Sequence, residues 1–141
     1  MPSVFTRIID GELPGRFVWR DDEVVAFLSI NPITRGHTLV VPRVEVDHWL
    51  DLDPELWTRV GEVTREVGRA IQTAFGPPRV GTMIAGFEVP HVHVHVLALQ
   101  QLSDLDFANA ATDPDAGEMD AAAESIRVAL RAAGHDVPAD E

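Results

Sequence analysis

The sequence predicts an α+β fold, in which an antiparallel sheet of about five strands is covered by one long helix and a C-terminal helix. Three observations predict this class. Short apolar runs rich in valine are bounded by turn-forming residues, which is typical of strands. Two longer segments repeat apolar residues at helical spacing. The 141 residues, of which 45% are hydrophobic, are enough for one domain with its own core.

The first three strands come from the N-terminal part of the chain. Strands are predicted at Phe17–Trp19 and Val24–Ser29, on either side of the turn-forming residues 20–22. A loop follows at residues 30–36, because its Asn-Pro pair disfavours helix and its glycine closes the turn. The third strand is predicted at His37–Val41, and the proline after it ends the strand.

The long helix is predicted at Pro54–Phe75. Asp53 is a natural N-cap residue, proline suits the first helical position, and Gly76 stops the helix in front of two prolines. The apolar residues that recur at helical spacing predict one buried face, which comprises Leu56, Val60, Val63, Val67, Ala70, Ile71 and Ala74.

The remaining elements carry shorter signals. A strand is predicted at Val80–Ile84, and a small-residue turn at 85–86 leads into a strand that contains three alternating histidines. The second helix is predicted at Glu118–Ala133 and ends at Gly134. We expect the tail from there to Glu141 to be frayed.

The composition excludes several kinds of chemistry. Cysteine, lysine and tyrosine are absent, which excludes disulfides, thiolate sites and a lysine Schiff base and leaves histidine and carboxylates for proton transfer. The net charge of −12 argues against a nucleic-acid partner. The stretch from Asp104 to the end contains ten acidic residues and two arginines, which gives it a net charge of −8. We find neither a membrane-spanning apolar run nor a signal peptide, and we therefore expect a cytoplasmic protein without a membrane partner.

The stretch PHVHVHVLAL, residues 90–99, carries the clearest functional signal. In a strand, His91, His93 and His95 share one face, while the valines between them point to the other. The outer two Cβ atoms would lie about 13 Å apart, which favours an extended ligand over a single metal ion. Surface or partly buried structural histidines are the alternative, but three imidazoles on one face are costly to desolvate without partners.

The same stretch resembles the histidine-triad pattern, in which histidines alternate with apolar residues. Residues 5–43, which include the motif GHTLVVPR, resemble the N-terminal half of histidine-triad hydrolases, and AGFEVPH resembles the glycine turn before the triad. The resemblance extends over residues 3–100, and the triad together with the upstream motif makes it specific.

The resemblance implies a nucleotidyl hydrolase or transferase that acts at the α-phosphorus of a nucleoside phosphoramidate, an acyl nucleotide or a dinucleoside polyphosphate. It implies that His93 attacks phosphorus to form a nucleotidyl-histidine, with its ring oriented by a backbone carbonyl near the first triad position. It implies that His95 donates to a phosphate or bridging oxygen, and that His91 and His37 complete the polar wall. Neither a metal nor another cofactor is implied.

The resemblance also implies a purine nucleotide as the ligand. Backbone N–H groups at Gly86, Phe87 and Glu88 would hold phosphate oxygens. Ser29 stands where the family usually has an aspartate that binds the ribose, and Phe87 replaces a glutamine, so we expect altered substrate recognition. The other positions implied to contact the nucleotide are Val4, Phe5, Ile8, Phe27, Ile30 and Asn31, although the apolar ones could equally be core residues.

Several family members carry a zinc site away from the catalytic centre. The corresponding positions here are Ser3, Thr6 and Glu45, and we therefore expect no such site. His48 lies nearby in the sequence, and we interpret it as a surface residue.

We divide the chain into a catalytic domain resembling the triad family, residues 1–100, and an acidic helical extension, residues 101–141, packed on the same domain. The family resemblance implies a homodimer through the long helix and a shared sheet. Trp57, Val60 and Val63 could contribute to it, although a helix buried within one subunit explains them as well. The alternatives for function are a non-catalytic purine nucleotide-binding protein on the same fold and a histidine-based metal-binding protein.

Overall fold

The computed structural model describes residues 1–138, and it confirms the α+β fold. A five-stranded sheet has the order β1-β2-β3-β5-β4, and all neighbouring strands are antiparallel. The strands and α-helices are α1 (Val4–Ile9), β1 (Phe17–Arg20), β2 (Val24–Leu28), β3 (Thr38–Pro42), α2 (Pro54–Phe75), β4 (Arg79–Met83), β5 (Val94–Leu99) and α3 (Ala116–Ala132). Three short 3-10 helices lie at Trp49–Asp51, Leu102–Leu105 and Phe107–Asn109.

The four strand predictions before the triad agree with β1 to β4 to within one residue at each end. The histidine strand is shorter than predicted, because β5 begins only at Val94. Before that point the backbone bonds elsewhere: His91 N–H donates to the carbonyl of Val89 at 2.8 Å, and Val92 N–H donates to that of Val46 at 2.8 Å. The first part of the triad is therefore an extended segment outside the sheet.

The helix α2 has the predicted bounds, because local signals fix both ends. The Asp53 carboxylate accepts a hydrogen bond from the N–H of Glu55 at 2.9 Å. Gly76 has φ of 61°, the left-handed conformation that favours glycine at a helix C-terminus. Val60 and Val63 are fully buried in the core of this chain, so the structure favours the explanation within one subunit.

The helix α1 is not predicted from the sequence, because it has only six residues and no repeating apolar face. The helix α3 begins two residues before the predicted start, because Asp115 accepts a hydrogen bond from the N–H of Glu118 at 3.0 Å and acts as the N-cap. The tail prediction is wrong for residues 135–138, since Val137 packs on the core and the rings of His135 and Trp19 lie 4.9 Å apart. The rest of that tail, residues 139–141, lies outside the described residues.

The sheet has an apolar cluster on each face. One face packs against α2 and α3 and includes Val40, Val92, Val94 and Val96. The other face lies beneath α1, and its cluster comprises Phe5, Ile8, Ile9, Phe17, Val25, Phe27, Leu39 and Val41. Among residues 1–138, no helix is both long and apolar enough to cross a membrane.

Candidate active site

The alternation of the triad separates its valines from its histidines. The valines enter the core against α2, while His95 lies opposite Leu39 in the β3–β5 ladder, on the face beneath α1. The rings of His91 and His93 lie 5.9 Å and 4.9 Å from the ring of Phe5 in α1, and the rings of His93 and His95 lie 5.0 Å apart. The three histidines therefore face the same side, as the sequence predicts.

The ring of His91 has a hydrogen-bond partner on each nitrogen. Its Nε2 lies 2.7 Å from the carbonyl oxygen of Pro42, which can only accept, so Nε2 carries the proton. Its Nδ1 therefore accepts a hydrogen bond from the Ser3 hydroxyl at 2.7 Å. The side chain is 0% exposed and lies behind the cavity described below.

The ring of His93 is oriented by the main chain. Its Nδ1 lies 2.7 Å from the carbonyl oxygen of His91, so Nδ1 carries the proton and donates it. The Nε2 atom of this neutral ring therefore holds a lone pair. No hydrogen bond within residues 1–138 engages that atom, and His93 lines the cavity.

His37 and His95 form a second row with the opposite polarity. The backbone N–H of Ile33 donates to His37 Nδ1 at 3.1 Å, so the proton of this neutral ring lies on Nε2. His37 Nε2 then donates to His95 Nδ1 at 2.9 Å, which leaves the proton of His95 on its Nε2. The cavity wall thus presents a lone pair on His93 beside an N–H donor on His95.

Burial keeps these imidazoles neutral. It lowers the pKa of His37 to about 4 and that of His95 to about 3, and for His95 positive charge on His37 or His93 would add to the effect. Burial also lowers the pKa of His91 and His93 below the ordinary value, against the hydrogen bonds from their rings to backbone carbonyls. Glu88 opposes the shift at His93 through its negative charge.

The histidines open onto a cavity of about 960 Å³, the size of a small-molecule site. The predicted site residues that line it are Val4, Phe5, Ile8, Phe27, Ser29, Ile30, Asn31, Glu88, His93 and His95. Most of the apolar ones are at the same time buried core residues, whereas Ile30 is 70% exposed.

Four predicted site residues do not line this cavity. His37 and His91 lie behind the wall instead of completing it, because their rings are used to bond His95, Ser3 and the main chain. Gly86 lies in a turn with φ of 84°, and the ring of Phe87 is 97% exposed and points to solvent. The stretch at 86–88 therefore contributes only Glu88 to the lining.

Another part of the wall follows the triad in the chain and is not predicted from the sequence. Phe107, Ala108, Ala110, Ala111 and Thr112 line the cavity, together with Pro14, Gly15, Arg16, Leu28, Leu39, Val89 and Asp120. The signal that could have identified Phe107 is its isolation, since it is the one aromatic residue among the acidic and alanine-rich residues of the last third.

The positions of the family's zinc ligands hold a hydrogen-bonded cluster here. Glu45 accepts hydrogen bonds at 2.7 Å from the Ser3 N–H and from the Thr6 hydroxyl, and the first of these is the main cause of the lowered pKa of Glu45. The Ser3 hydroxyl in turn bonds His91. Two hydroxyls and one carboxylate that satisfy one another do not fit a zinc site. Within residues 1–138, no group of three histidine, cysteine or acidic side chains is arranged to hold a metal ion.

Comparisons with known proteins agree with this geometry. A family model described as HIT domain matches residues 10–102. An uncharacterized HIT-like protein of Borreliella burgdorferi is 38% identical over 101 residues, which cover 67% of this chain and 73% of the relative. Protein hit of Bacillus subtilis is 33% identical over 99 residues, 67% of this chain and 68% of the relative.

Solved structures extend the similarity to the fold. A Hit-like protein involved in cell-cycle regulation from Bartonella henselae, solved with an unknown ligand, has a TM-score of 0.80 and 26% identity, covering 90% of this chain and 95% of its own. A Zn-bound histidine triad family protein from Mycobacterium smegmatis has a TM-score of 0.79 and 27% identity, with coverages of 92% and 94%. The match therefore includes the region beyond residue 102.

Proposed function

Since the chain belongs to the HIT family, we propose that it is a nucleotidyl hydrolase or transferase. Its substrate is a nucleoside phosphoramidate, an acyl nucleotide or a dinucleoside polyphosphate, and the reaction occurs at the α-phosphorus. The observation that carries the proposal is the pairing of opposite polarities at the cavity wall, where the lone pair of His93 lies beside the N–H of His95.

In the proposed reaction, His93 Nε2 attacks the α-phosphorus and forms a nucleotidyl-histidine, while the bond from phosphorus to the leaving group breaks. The leaving group departs with the electron pair of that bond, and an amine leaving group takes up a proton from solvent. The N–H of His95 donates a hydrogen bond to a phosphate or bridging oxygen and stabilises the charge that develops there. Water then displaces His93 and gives up a proton to solvent, so one water molecule is consumed and a nucleoside monophosphate and the free leaving group are released. If another nucleophile replaces water, the result is transfer.

The electrostatics of the site support this role for His93. Its pKa is lowered by burial, so the ring is neutral at neutral pH and its nucleophilic nitrogen is not blocked by a proton. The hydrogen bond to the carbonyl of His91 fixes the ring, which saves the cost of orienting it in the reaction. The apolar wall of Phe5, Ile8 and Phe27 suits the flat faces of a purine base.

The test is nucleotide release from a fluorogenic adenosine 5′-phosphoramidate. We expect the native chain to release nucleotide and His93→Ala to be slower by on the order of 10³-fold or more, because the nucleophile is gone. The matched control is His48→Ala, which removes an exposed histidine that does not line the cavity. If His93→Ala keeps activity within about tenfold of the native chain, His93 is not the nucleophile.

Ser29 favours a second candidate, a non-catalytic purine nucleotide-binding protein. It supplies a single hydroxyl at the rim of the cavity, and that hydroxyl already accepts a hydrogen bond from the N–H of Asn31 at 3.2 Å. If Ser29 holds the ribose differently, the nucleotide can bind without placing its α-phosphorus at His93, and binding then occurs without turnover. Calorimetry that finds nucleotide binding, with no release from adenosine, guanosine or dinucleoside substrates, would favour this candidate. A histidine-based metal protein has no supporting cluster within residues 1–138.

The proposal includes a cytoplasmic homodimer, on the strength of the family resemblance. Since Val60 and Val63 are buried within one chain, an interface along α2 would have to use its other residues. Light scattering coupled to size-exclusion chromatography measures the mass in solution, and a mass of 15.5 kDa would contradict the dimer.

A further inference from the structure

The segment 107–112 forms a wall of the cavity on the side of His95. It contributes the ring of Phe107 and the small side chains of Ala108, Ala110 and Ala111. This segment lies beyond the residues 10–102 that match the family model, so this wall is supplied from outside the matched domain.

Hydrogen bonds hold this segment in place. The N–H of Ala111 donates to the carbonyl of Pro32 at 2.9 Å, and the side-chain amide of Asn31 donates to the carbonyl of Ala111 at 2.9 Å. Asp106 caps the 3-10 helix that carries Phe107 by accepting from the N–H of Ala108 at 2.9 Å. The wall is therefore attached to the loop after β2 and is part of the folded site.

Four aromatic rings stand in a row across the cavity. The ring centroids are 4.9 Å apart between Phe5 and His93, 5.0 Å between His93 and His95, and 5.1 Å between His95 and Phe107. The two imidazoles thus lie between two phenyl rings, and all four rings line the cavity. The side of Phe5 belongs to the apolar cluster beneath α1, where the nucleoside is proposed to bind.

None of the described residues that line the cavity beside Phe107 carries a positive charge to receive an anion. Arg16 is the one cation among the described residues that line the cavity, and its Nε bonds the carboxylate of Asp120 at 2.7 Å. Arg16 precedes β1, the edge strand, whereas His95 lies in β5 on the far side of β2 and β3. A polyphosphate leaving group placed against Phe107 would therefore find no cation among residues 1–138 in that part of the cavity.

We propose that Phe107 and the alanines beside it form a subsite for the leaving group, which selects substrates whose α-phosphorus carries an uncharged, apolar and preferably aromatic group. This inference rests on the proposed function, since it needs a reaction at His93. Phenyl rings pair edge to face with other rings at the distances found here, so an aromatic leaving group gains contact area and a ring pair with Phe107.

The test compares leaving groups on one nucleoside. Adenosine 5′-phosphoramidates of an aromatic amine and of ammonia are given to the native chain and to Phe107→Ala, together with a dinucleoside polyphosphate. We expect Phe107→Ala to lower kcat/KM about tenfold for the aromatic substrate and to change it less than about twofold for the ammonia substrate. The native chain should prefer the aromatic substrate to the polyphosphate by about tenfold or more.

Two further variants keep the result interpretable. Leu102→Ala removes an apolar side chain from the 3-10 helix that precedes the segment, outside the cavity lining, and it should leave the turnover of both phosphoramidates unchanged. If Phe107→Ala does not fold, Phe107→Leu takes its place, because leucine keeps most of the side-chain volume. This variant should still lose part of the preference for the aromatic substrate.

Equal losses for the aromatic and ammonia substrates would mean that Phe107 acts on His95 and not on the leaving group, and would overturn the subsite. A native chain that cleaves the polyphosphate as well as the aromatic substrate would also overturn it. Neither outcome contradicts the proposed function as a nucleotidyl hydrolase. A native chain that releases nucleotide from none of the three substrates overturns the proposed function itself, and the subsite with it.

Discussion

The buried histidines predict a loss of stability in mild acid. His37 and His95 have pKa values lowered by burial from 6.5 to about 4 and about 3. In the unfolded chain both rings take up protons as the pH falls through 6.5, while in the folded chain they stay neutral. The stability that depends on neutral rings is therefore fully present above pH 6.5 and is lost as the pH falls towards the folded values.

The size of the effect at pH 5 follows from the unfolded reference. Since both folded pKa values lie well below 5, the loss per ring is set by the 1.5 pH units between 6.5 and 5. At about 1.4 kcal/mol per unit, each ring costs about 2 kcal/mol, and the pair costs about 4 kcal/mol. This is a large part of the stability of a domain of this size. The lowered pKa values of His91 and His93 act in the same direction.

The assay is urea denaturation at pH 8 and pH 5, followed by the fluorescence of the three tryptophans. Asp21 and Glu45 do not interfere, because their pKa values are lowered from 3.8 and 4.5 and their contributions are lost only at lower pH. His37→Gln should reduce the difference between the two pH values by about 2 kcal/mol, and the exposed control His48→Gln should leave it unchanged. A difference below about 1 kcal/mol in the native chain would contradict the lowered pKa values of His37 and His95.

Three other outcomes follow from contacts at the site and in the core. Ser3→Ala removes the hydrogen-bond donor to Nδ1 of the fully buried His91 and should lower the free energy of unfolding, measured by urea denaturation, by about 1–3 kcal/mol. A change under about 0.5 kcal/mol would contradict the hydrogen bond. Ile71→Ala, at a fully buried position of α2, should cost about 2–5 kcal/mol, whereas its exposed neighbour Gln72→Ala should stay within about 0.5 kcal/mol. The kcat/KM of the native chain should fall on the acid side only below pH 6.5, because protonation blocks the nucleophilic nitrogen of His93, whose pKa is lowered from 6.5. A pH–rate profile with its acid limb above 6.5 would count against His93 as the nucleophile.

Local signals account for what the sequence predicted well. The helix α2 was predicted with its observed bounds because Asp53 and Gly76 act on residues next to them in the chain. The helix α1 was missed because six residues are too few to display a period of 3.6. The start of β5 was misplaced because Val92 bonds the carbonyl of Val46, a partner that no local pattern reveals.

At the site, too, features set by neighbouring residues are predictable from the sequence, and features set by residues distant in the chain are not. The period of two in the triad predicts that the histidines share a face, and the structure agrees. Which nitrogen is available on each ring depends on distant main-chain groups of Ile33 and Pro42, which the triad motif does not encode. The wall at Phe107 was missed for the same reason, since only the hydrogen bonds of Ala111 bring that segment to the cavity.

The row from Ile33 through His37 to His95 decides, at its buried end, which kind of hydrogen bond the site offers to a ligand. One main-chain N–H, 3.1 Å from His37, makes the far nitrogen of His95 a donor. An amide oxygen at position 37 aimed at His95 Nδ1, as in His37→Gln, would draw the proton of His95 onto that atom and leave a second lone pair beside that of His93. Two lone pairs would repel the phosphate oxygens that a donor attracts. The side chain of His37, which does not line the cavity, therefore determines whether His95 attracts or repels phosphate oxygens. An enzyme on this fold could change that interaction without altering any residue of its cavity wall.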